Sequence, residues 1–542
     1  MRVPAKYSST ALPILAALFF AGSTIAGAVR WFSPVPYWDM WDGYVAFFLD
    51  VSKGDWSQFF AQANEHRIVF SKILFWLDMR YFAGQSRLLI ASNVALLIAL
   101  WTTFAYIARR LIGGLPSLMT AALVAIPCFS WMQAENITWS YQSQFFVAYL
   151  FPLAALVSLA RSLDDPKKLR WFLIALVLGI ASYGSMGNGI LGMPALIAAA
   201  ILSGRATRSR ILVLLGTTII CTFLWFHGYE SPGRDSASLG AMIVFTLAFL
   251  GSPFGVVAKN NLVAVAAGTF FVSASILLFV RWWRAGERDP LMLTTLTFLA
   301  YVGATAAGAA HGRASMGVEI GDFSSRYTTP ALMGWATLLI VIVAAYRDRS
   351  HRALVALSIL LPIMFLWSQL PAFDAYPQEL HKKQWLAALA LDLGVMDNNT
   401  TMALYPTDTP HNVKRLRNIS DQARNEDLSV FSNVDMRKAR EFIGKSVLTL
   451  GLGDCLGRID QSEPVKTDSR YVKVAGWAFN DRIRRVPSVV FLASNNVVVG
   501  AAFTGYFRPD VEQGVDPKAI GAGFTGYMLA DALGKVQVVC QK

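Results

Sequence analysis

The chain has 542 residues, of which 55% are hydrophobic and 15% charged, with 16 Trp, 35 Phe and a mean hydropathy of +0.44. This composition excludes an ordinary soluble enzyme and describes a multi-spanning α-helical membrane protein. The formal net charge of +13 does not point to nucleic acid: residues 371–542 are nearly charge-balanced, and the excess falls in short clusters between apolar runs, as the positive-inside rule describes.

Arg2 and Lys6 precede the first apolar run, residues 11–29, which places the amino terminus in the cytoplasm. That run is longer than a signal-peptide core and reads as an uncleaved anchor. Residues 36–67 then emerge on the outer side, beginning PYWDMWDGY and ending ANEHR. Their spacing predicts a helix with Asp39 and Asp42 on one face and Trp38 and Trp41 in an interfacial belt. Ionisable groups at a bilayer edge are costly unless they are used. The stretch is therefore the candidate catalytic segment, the alternative being a surface helix whose acids are merely solvated.

Further spans are expected at 86–108, 113–131, 143–160, 171–186, 189–203 and 211–227. The loop QAENITWSYQSQ lies outside, and SYGSMGNG predicts a turn whose backbone lines a cavity rather than lipid. Residues 239–256, interrupted by GSPFG, read as re-entrant or interfacial. That choice keeps every later basic cluster inside. Spans at 262–280, 291–309, 331–346 and 353–369 follow, giving about 11 in all.

The remainder is expected outside the cytoplasm: a helical linker region over 371–446 and, over 447–542, a β-sandwich module built from runs such as YVKVAGWAF and KVQVVC. Cys455 and Cys540 lie near the two ends of that module and are a disulfide candidate. Cys128 and Cys221 lie in apolar runs, and no cysteine pair has zinc-site spacing.

On this topology the outer face collects His66, His227, His311, Asp39, Asp42, Glu65, Arg67, Glu135, Glu319, Asp322, Arg313 and Arg326. Arginine binds phosphate oxygens bidentately, and a nearby carboxylate would serve as general base. Nucleotide sugars are absent outside the cytoplasm, so an activated sugar donor there is lipid-linked.

An acidic first outer loop, a basic outer loop before a late span, NEHR at 64–67 and SRYTTP at 325–330 together resemble the GT-C superfamily, in a bacterial branch of these integral-membrane glycosyltransferases. The resemblance covers residues 1–370, and a VAGWAF-type module also ends other bacterial glycan-handling proteins. It implies an inverting transfer from a polyprenyl-phosphate sugar to an extracytoplasmic glycan or lipid acceptor, in the bacterial inner membrane among membrane lipids. Asp39 or Asp42 is then the catalytic carboxylate. Glu65, His66, Arg67, Glu135, Asn136, Gln142, His311, Arg313, Arg326 and Tyr327 are assigned to substrate binding. The acids form D-x-x-D rather than an adjacent pair or D-x-D, which leaves the choice of base and a divalent cation cofactor open. Two other classes stand as alternatives. An O-antigen ligase or polymerase would centre on a large late loop, and a lipid or glycan transporter would carry charge mid-span; neither feature is present.

Overall fold

The computed structural model describes residues 5–165, 167, 169–231, 233, 237–286, 289–318, 325–374, 379–532 and 536–541. The chain divides into two compact units. One comprises Met1–Phe32, Phe59–Leu74 and Leu89–Ala375; the other comprises Ser33–Gln58, Phe75–Leu88 and Tyr376–Lys542. This grouping differs from a division at 370 and 446, because two early segments join the carboxy-terminal region.

The first unit is an α-helical bundle. Among the described residues, ten helices are long and apolar enough to cross a membrane, from Thr10–Arg30 to Ser350–Phe373, so this is a multi-pass membrane protein. The sequence suggested about eleven. The difference lies at three places: the fifth and sixth expected spans form the short helices Leu169–Ser182 and Gly187–Ser203, while Leu239–Ala258, read from the sequence as re-entrant, is long and apolar enough to be counted. At a rise of about 1.5 Å per residue, the first covers roughly 21 Å, short of a hydrocarbon core of about 30 Å.

The segment read as interrupted at GSPFG is instead one continuous helix, Leu239–Ala258, with Pro253 inside it. It packs against the helix Asn261–Ala285. Its glycines form a packing seam rather than a break. A Cβ on Gly251 would lie 1.8 Å from the Ala264 carbonyl oxygen, and one on Gly268 would lie 1.9 Å from that of Leu247. Small residues at such spacing let helix backbones approach closely where water supplies no hydrophobic drive.

One buried amide shows how polar groups inside the bundle can be paired. Gln369 Nε2 donates to Ser23 Oγ (2.8 Å) and Thr24 Oγ1 (2.9 Å), while its Oε1 accepts from the Trp131 amide (2.9 Å). One side chain thus ties the first, third and last spans, as a buried amide must when water is excluded.

The second unit holds a seven-stranded antiparallel sheet: β1 Leu452–Asp454, β2 Leu456–Pro464, β3 Tyr471–Phe479, β4 Val489–Ser494, β5 Val497–Tyr506, β6 Gly523–Leu529 and β7 Gln537–Gln541. The spatial order is β1-β7-β4-β5-β6-β3-β2. This is one continuous hydrogen-bonded sheet rather than two. It curls, however, so that β2 approaches β7 from the other end of the order, and a single sheet thereby encloses a sandwich-like core. Val472, Val474, Val490, Leu492, Phe524 and Met528 fill that inner face. Asn495 and Asn496, at φ 48° and 61°, make the two-residue β4–β5 turn, the conformation that asparagine tolerates and that matches strand twist.

The outer face is covered by helices from the segment read as a linker. Trp385 of Glu379–Asp392 packs on Phe503, ring centroids 5.2 Å apart, and Phe442 of Val434–Phe442 packs on Phe491 at 4.9 Å. Phe491 alternates with the inner-facing Val490 and Leu492, so β4 is buried on both sides. The segment is therefore a layer of this unit. β1 pairs with β7, and Cys455 and Cys540 are joined in a disulfide with their Cα atoms 5.9 Å apart.

Candidate functional site

In the first unit a chamber of about 540 Å³ opens among the helices. Its polar wall starts at a tight turn: Ala63 and His66 exchange backbone hydrogen bonds of 2.8 and 2.9 Å, with Asn64 in the left-handed region at φ 50°. That turn sets Glu65 and His66 into the wall. Glu65 forms an ion pair with Arg313, and Arg313 also donates to the Tyr327 hydroxyl, its guanidinium carbon 5.2 Å from that ring. His66 Nε2 lies 3.9 Å from the same carboxylate, and its Nδ1 accepts the Gly187 amide at 3.2 Å. A Cβ on Gly187 would stand 2.9 Å from Nδ1, so this contact requires glycine.

Five sequence-assigned residues thus line one chamber: Glu65, His66, His311, Arg313 and Tyr327. The SMGNG turn lines it too, through Met186, Gly187 and Asn188, as its glycines suggested. Arg67 takes a different place. Its guanidinium donates to three backbone carbonyls, Trp225 (2.8 Å), His227 (2.7 Å) and Phe60, so it ties loop to helix end. Nearby, buried Lys72 donates to the Ala61 carbonyl at 2.8 Å. Burial, aided by the charge of Arg67, lowers its ammonium pKa to about 8.

Glu135 and Arg326 form a second pair at 3.1 Å. Asn136 is fully buried beside them, donating to the Arg326 carbonyl (3.0 Å) and Thr329 Oγ1 (2.8 Å). Gln142 is likewise buried, its Oε1 accepting from Gln144 at 3.0 Å. Both amides are packed inside the protein, away from the chamber wall. Glu319 and Asp322 lie outside the described residues.

Several chamber residues carried no recognisable signal in the sequence. Tyr149, Trp225 and Thr305 sit within apolar runs and read there as ordinary packing. Asn188 Nδ2 donates to the Tyr301 hydroxyl at 3.0 Å, and that hydroxyl donates to the Ala148 carbonyl at 2.6 Å. The indole nitrogen of Trp225 and Oδ1 of Asn188 are buried with no hydrogen-bond partner among the described residues.

The second unit holds Asp39 and Asp42. The expected regular helix carrying both on one face is not formed. Trp38 adopts φ 50° with its amide on the Leu404 carbonyl (2.7 Å), Asp39 lies in a turn, and Trp41–Ala46 is a π-helical turn that continues into the α-helix Phe47–Ser52. Packing explains the departure. Trp41 and Tyr44 are wholly buried, Trp41 near Phe431 and Tyr44 donating to buried Asp78 at 2.6 Å, so Trp41 is a core anchor and not a belt residue. π-turns and left-handed non-glycine residues are costly and concentrate at functional sites.

Asp42 accepts from the Tyr405 hydroxyl through Oδ2 (2.7 Å) and from Arg415 Nε through Oδ1 (2.5 Å). Burial and then the Asp42 carboxylate push the Tyr405 phenol up to about 12. Among the described residues no three His, Cys, Asp or Glu side chains are placed to hold a metal ion. Asp42, Glu65 and Glu135 each face an arginine that a cation would have to displace. Among the described residues, these carboxylates do not form a site that fits a divalent cation.

No family model matches the sequence, and no curated protein matches it. Among solved structures, the chain is similar to the crystal structure of the Archaeoglobus fulgidus oligosaccharyltransferase in complex with Zn and sulfate, at 13% identity and a TM-score of 0.43. The likeness covers 73% of this chain and 57% of that one, so the chain spans little more than half of the matched protein. A likeness of that size does not define the chemistry of the site.

Proposed function

We propose that the protein is an integral-membrane glycosyltransferase that moves a sugar, with inversion, from a polyprenyl-phosphate donor to an extracytoplasmic glycan or lipid acceptor in a bacterial inner membrane. In this reading the amino terminus is cytoplasmic and residues 371–542 are outside, which needs an odd number of crossings: the two short helices are taken to cross and Leu239–Ala258 to enter without crossing, and the basic loops then stay inside. The observation that carries the reading is the chamber in which Glu65, His66, Arg313 and Tyr327 converge within a membrane bundle. Charged side chains kept there mark a functional pathway, and the aromatic side chains of the wall suit the face of a sugar ring.

The reaction needs few parts. A carboxylate removes the acceptor hydroxyl proton, the hydroxyl oxygen bonds to the anomeric carbon, and the bond from that carbon to the phosphate oxygen breaks, its electron pair leaving with the phosphate. Arg313 and Arg326 take the role of steadying that phosphate, and Arg67 supports the loop that carries Glu65 and His66. The base is read from the sequence as Asp39 or, failing it, Asp42, both in the second unit.

The test is consumption of a polyprenyl-phosphate sugar by the purified chain in vesicles, with the product's anomeric configuration read by NMR. Turnover with inversion is expected. Donor crossing the bilayer unconsumed would replace the enzyme with a transporter.

A further inference from the structure

A second cavity, of about 300 Å³, lies at the helix ends that carry the basic loops of the first unit. It is lined by Tyr106 and Arg110 near the end of Arg87–Leu111, Arg161 and Asp164 at the end of Ser143–Asp164, Arg205 in the loop after Gly192–Ser203, and Asp289 before Pro290–Arg313. Three guanidinium groups from three separate segments therefore share one small volume with two carboxylates.

The carboxylates are committed elsewhere or held loosely. Asp289 Oδ1 accepts the Leu291 amide at 2.8 Å as the helix cap. Asp164 approaches Arg205 at 3.6 Å, an ion pair too long for a hydrogen bond. The arginines are under-used. Arg161 is held between the rings of Tyr106 and Trp171, at 4.7 and 4.2 Å, with its Nε on the Tyr106 hydroxyl at 2.9 Å. Among the described residues its Nη groups make no hydrogen bond, and Arg110 makes neither a hydrogen bond nor a close ion pair. A guanidinium fixed by two aromatic faces with its fork unspent is pre-organised for a bidentate oxyanion. The three guanidinium groups outnumber the two carboxylates, and an anion would balance the remaining positive charge.

We propose that this cavity binds a phosphate ester, with Arg110, Arg161 and Arg205 as its ligands. It is separate from the chamber and does not depend on the glycosyl-transfer reading. Two sources supply the group at such a place: the headgroup of an anionic lipid, which basic pockets between membrane helices accommodate, or a soluble phosphate.

The test uses the full chain, purified in detergent and delipidated, titrated with phosphatidylglycerol under native mass spectrometry and, separately, with inorganic phosphate as competitor. Saturable lipid binding is expected. Arg110→Gln and Arg161→Gln should each weaken it about tenfold, the scale of a charge-assisted hydrogen bond, while Arg284→Gln, a basic-loop residue that does not line the cavity, leaves it unchanged. Asp164→Asn should tighten binding, a gain that misfolding cannot produce. Lipid binding that millimolar phosphate does not displace supports the headgroup source; displacement, or phosphate binding alone, supports the soluble one. Binding of both ligands that is indifferent to Arg110→Gln, Arg161→Gln and Asp164→Asn overturns the proposal.

Discussion

Glu65 and Arg313 stand 248 residues apart in the chain and form an ion pair in the wall of the chamber. Both side chains are largely withdrawn from solvent, so deleting one partner strands the other. Glu65→Gln and Arg313→Gln should each destabilise the protein, and the double variant should cost less than their sum, with a coupling of about 1–3 kcal/mol. Thermal unfolding of the four proteins in detergent measures the cycle. Strict additivity would mean that the pair contributes nothing.

Asp39→Asn should reduce turnover of a lipid-linked sugar by a factor of about 100 to 10,000 with donor affinity retained, the usual effect of losing a general base. Asp42→Asn should cost less turnover but more stability, since it removes the charge facing Arg415 and turns one of the two oxygens that accept from Tyr405 and Arg415 into a donor. Kinetics and donor binding measured side by side separate the two. Near-normal turnover in both variants would return the stretch to a structural role.

The glycine seam predicts a sharp positional contrast. Gly251→Ala places a methyl group against the Ala264 carbonyl and should cost roughly 1–3 kcal/mol through overpacking. Gly216→Ala meets nothing within 4 Å and should be neutral or slightly favourable, since alanine suits a helix better. Unfolding midpoints of the two variants decide the matter.

Asp392 is buried against Arg440, whose Nη1 donates to Oδ1 at 2.9 Å, yet burial raises its carboxyl pKa to about 7. An acid whose folded pKa lies above its unfolded value of about 3.9 contributes stability that is full below that lower value and lost as pH rises through the higher one. Helices Glu379–Asp392 and Val434–Phe442 should therefore be better protected from hydrogen exchange near about pH 5 than near about pH 8, once intrinsic exchange rates are divided out. Asp392→Asn should flatten that slope, and an unchanged slope would show that another group titrates.

The disulfide joins residues 85 apart in sequence. Closing a loop of that length restricts the unfolded chain, so Cys540→Ser should lower stability by about 2–4 kcal/mol. Denaturant unfolding with and without reductant measures it, and the variant should be insensitive to reductant.

The membrane spans were legible because length and apolarity alone define them. Glycine was not: in GSPFG it looked like punctuation, and only the facing carbonyls of Leu247 and Ala264 reveal it as a contact surface. Glu65, His66, Arg313 and Tyr327 were recoverable from chemistry and expected topology. The role of Arg67 was not, since its partners are backbone carbonyls that no residue type announces. Nor could spacing show that Trp38 would turn left-handed or that Trp41 would bury completely, because both follow from packing against residues hundreds of positions away.

That distance has a consequence for biosynthesis. Asp42 meets Tyr405 across 363 residues of chain, and at a synthesis rate of about 5–20 residues per second its partner is made roughly 20 to 70 s later. For that interval Tyr44 already has Asp78, but Trp41 lacks Phe431 and Asp42 lacks both Tyr405 and Arg415. A truncated chain ending before residue 376 would leave them so permanently, and should be recovered as a protease-sensitive species or one held by chaperones.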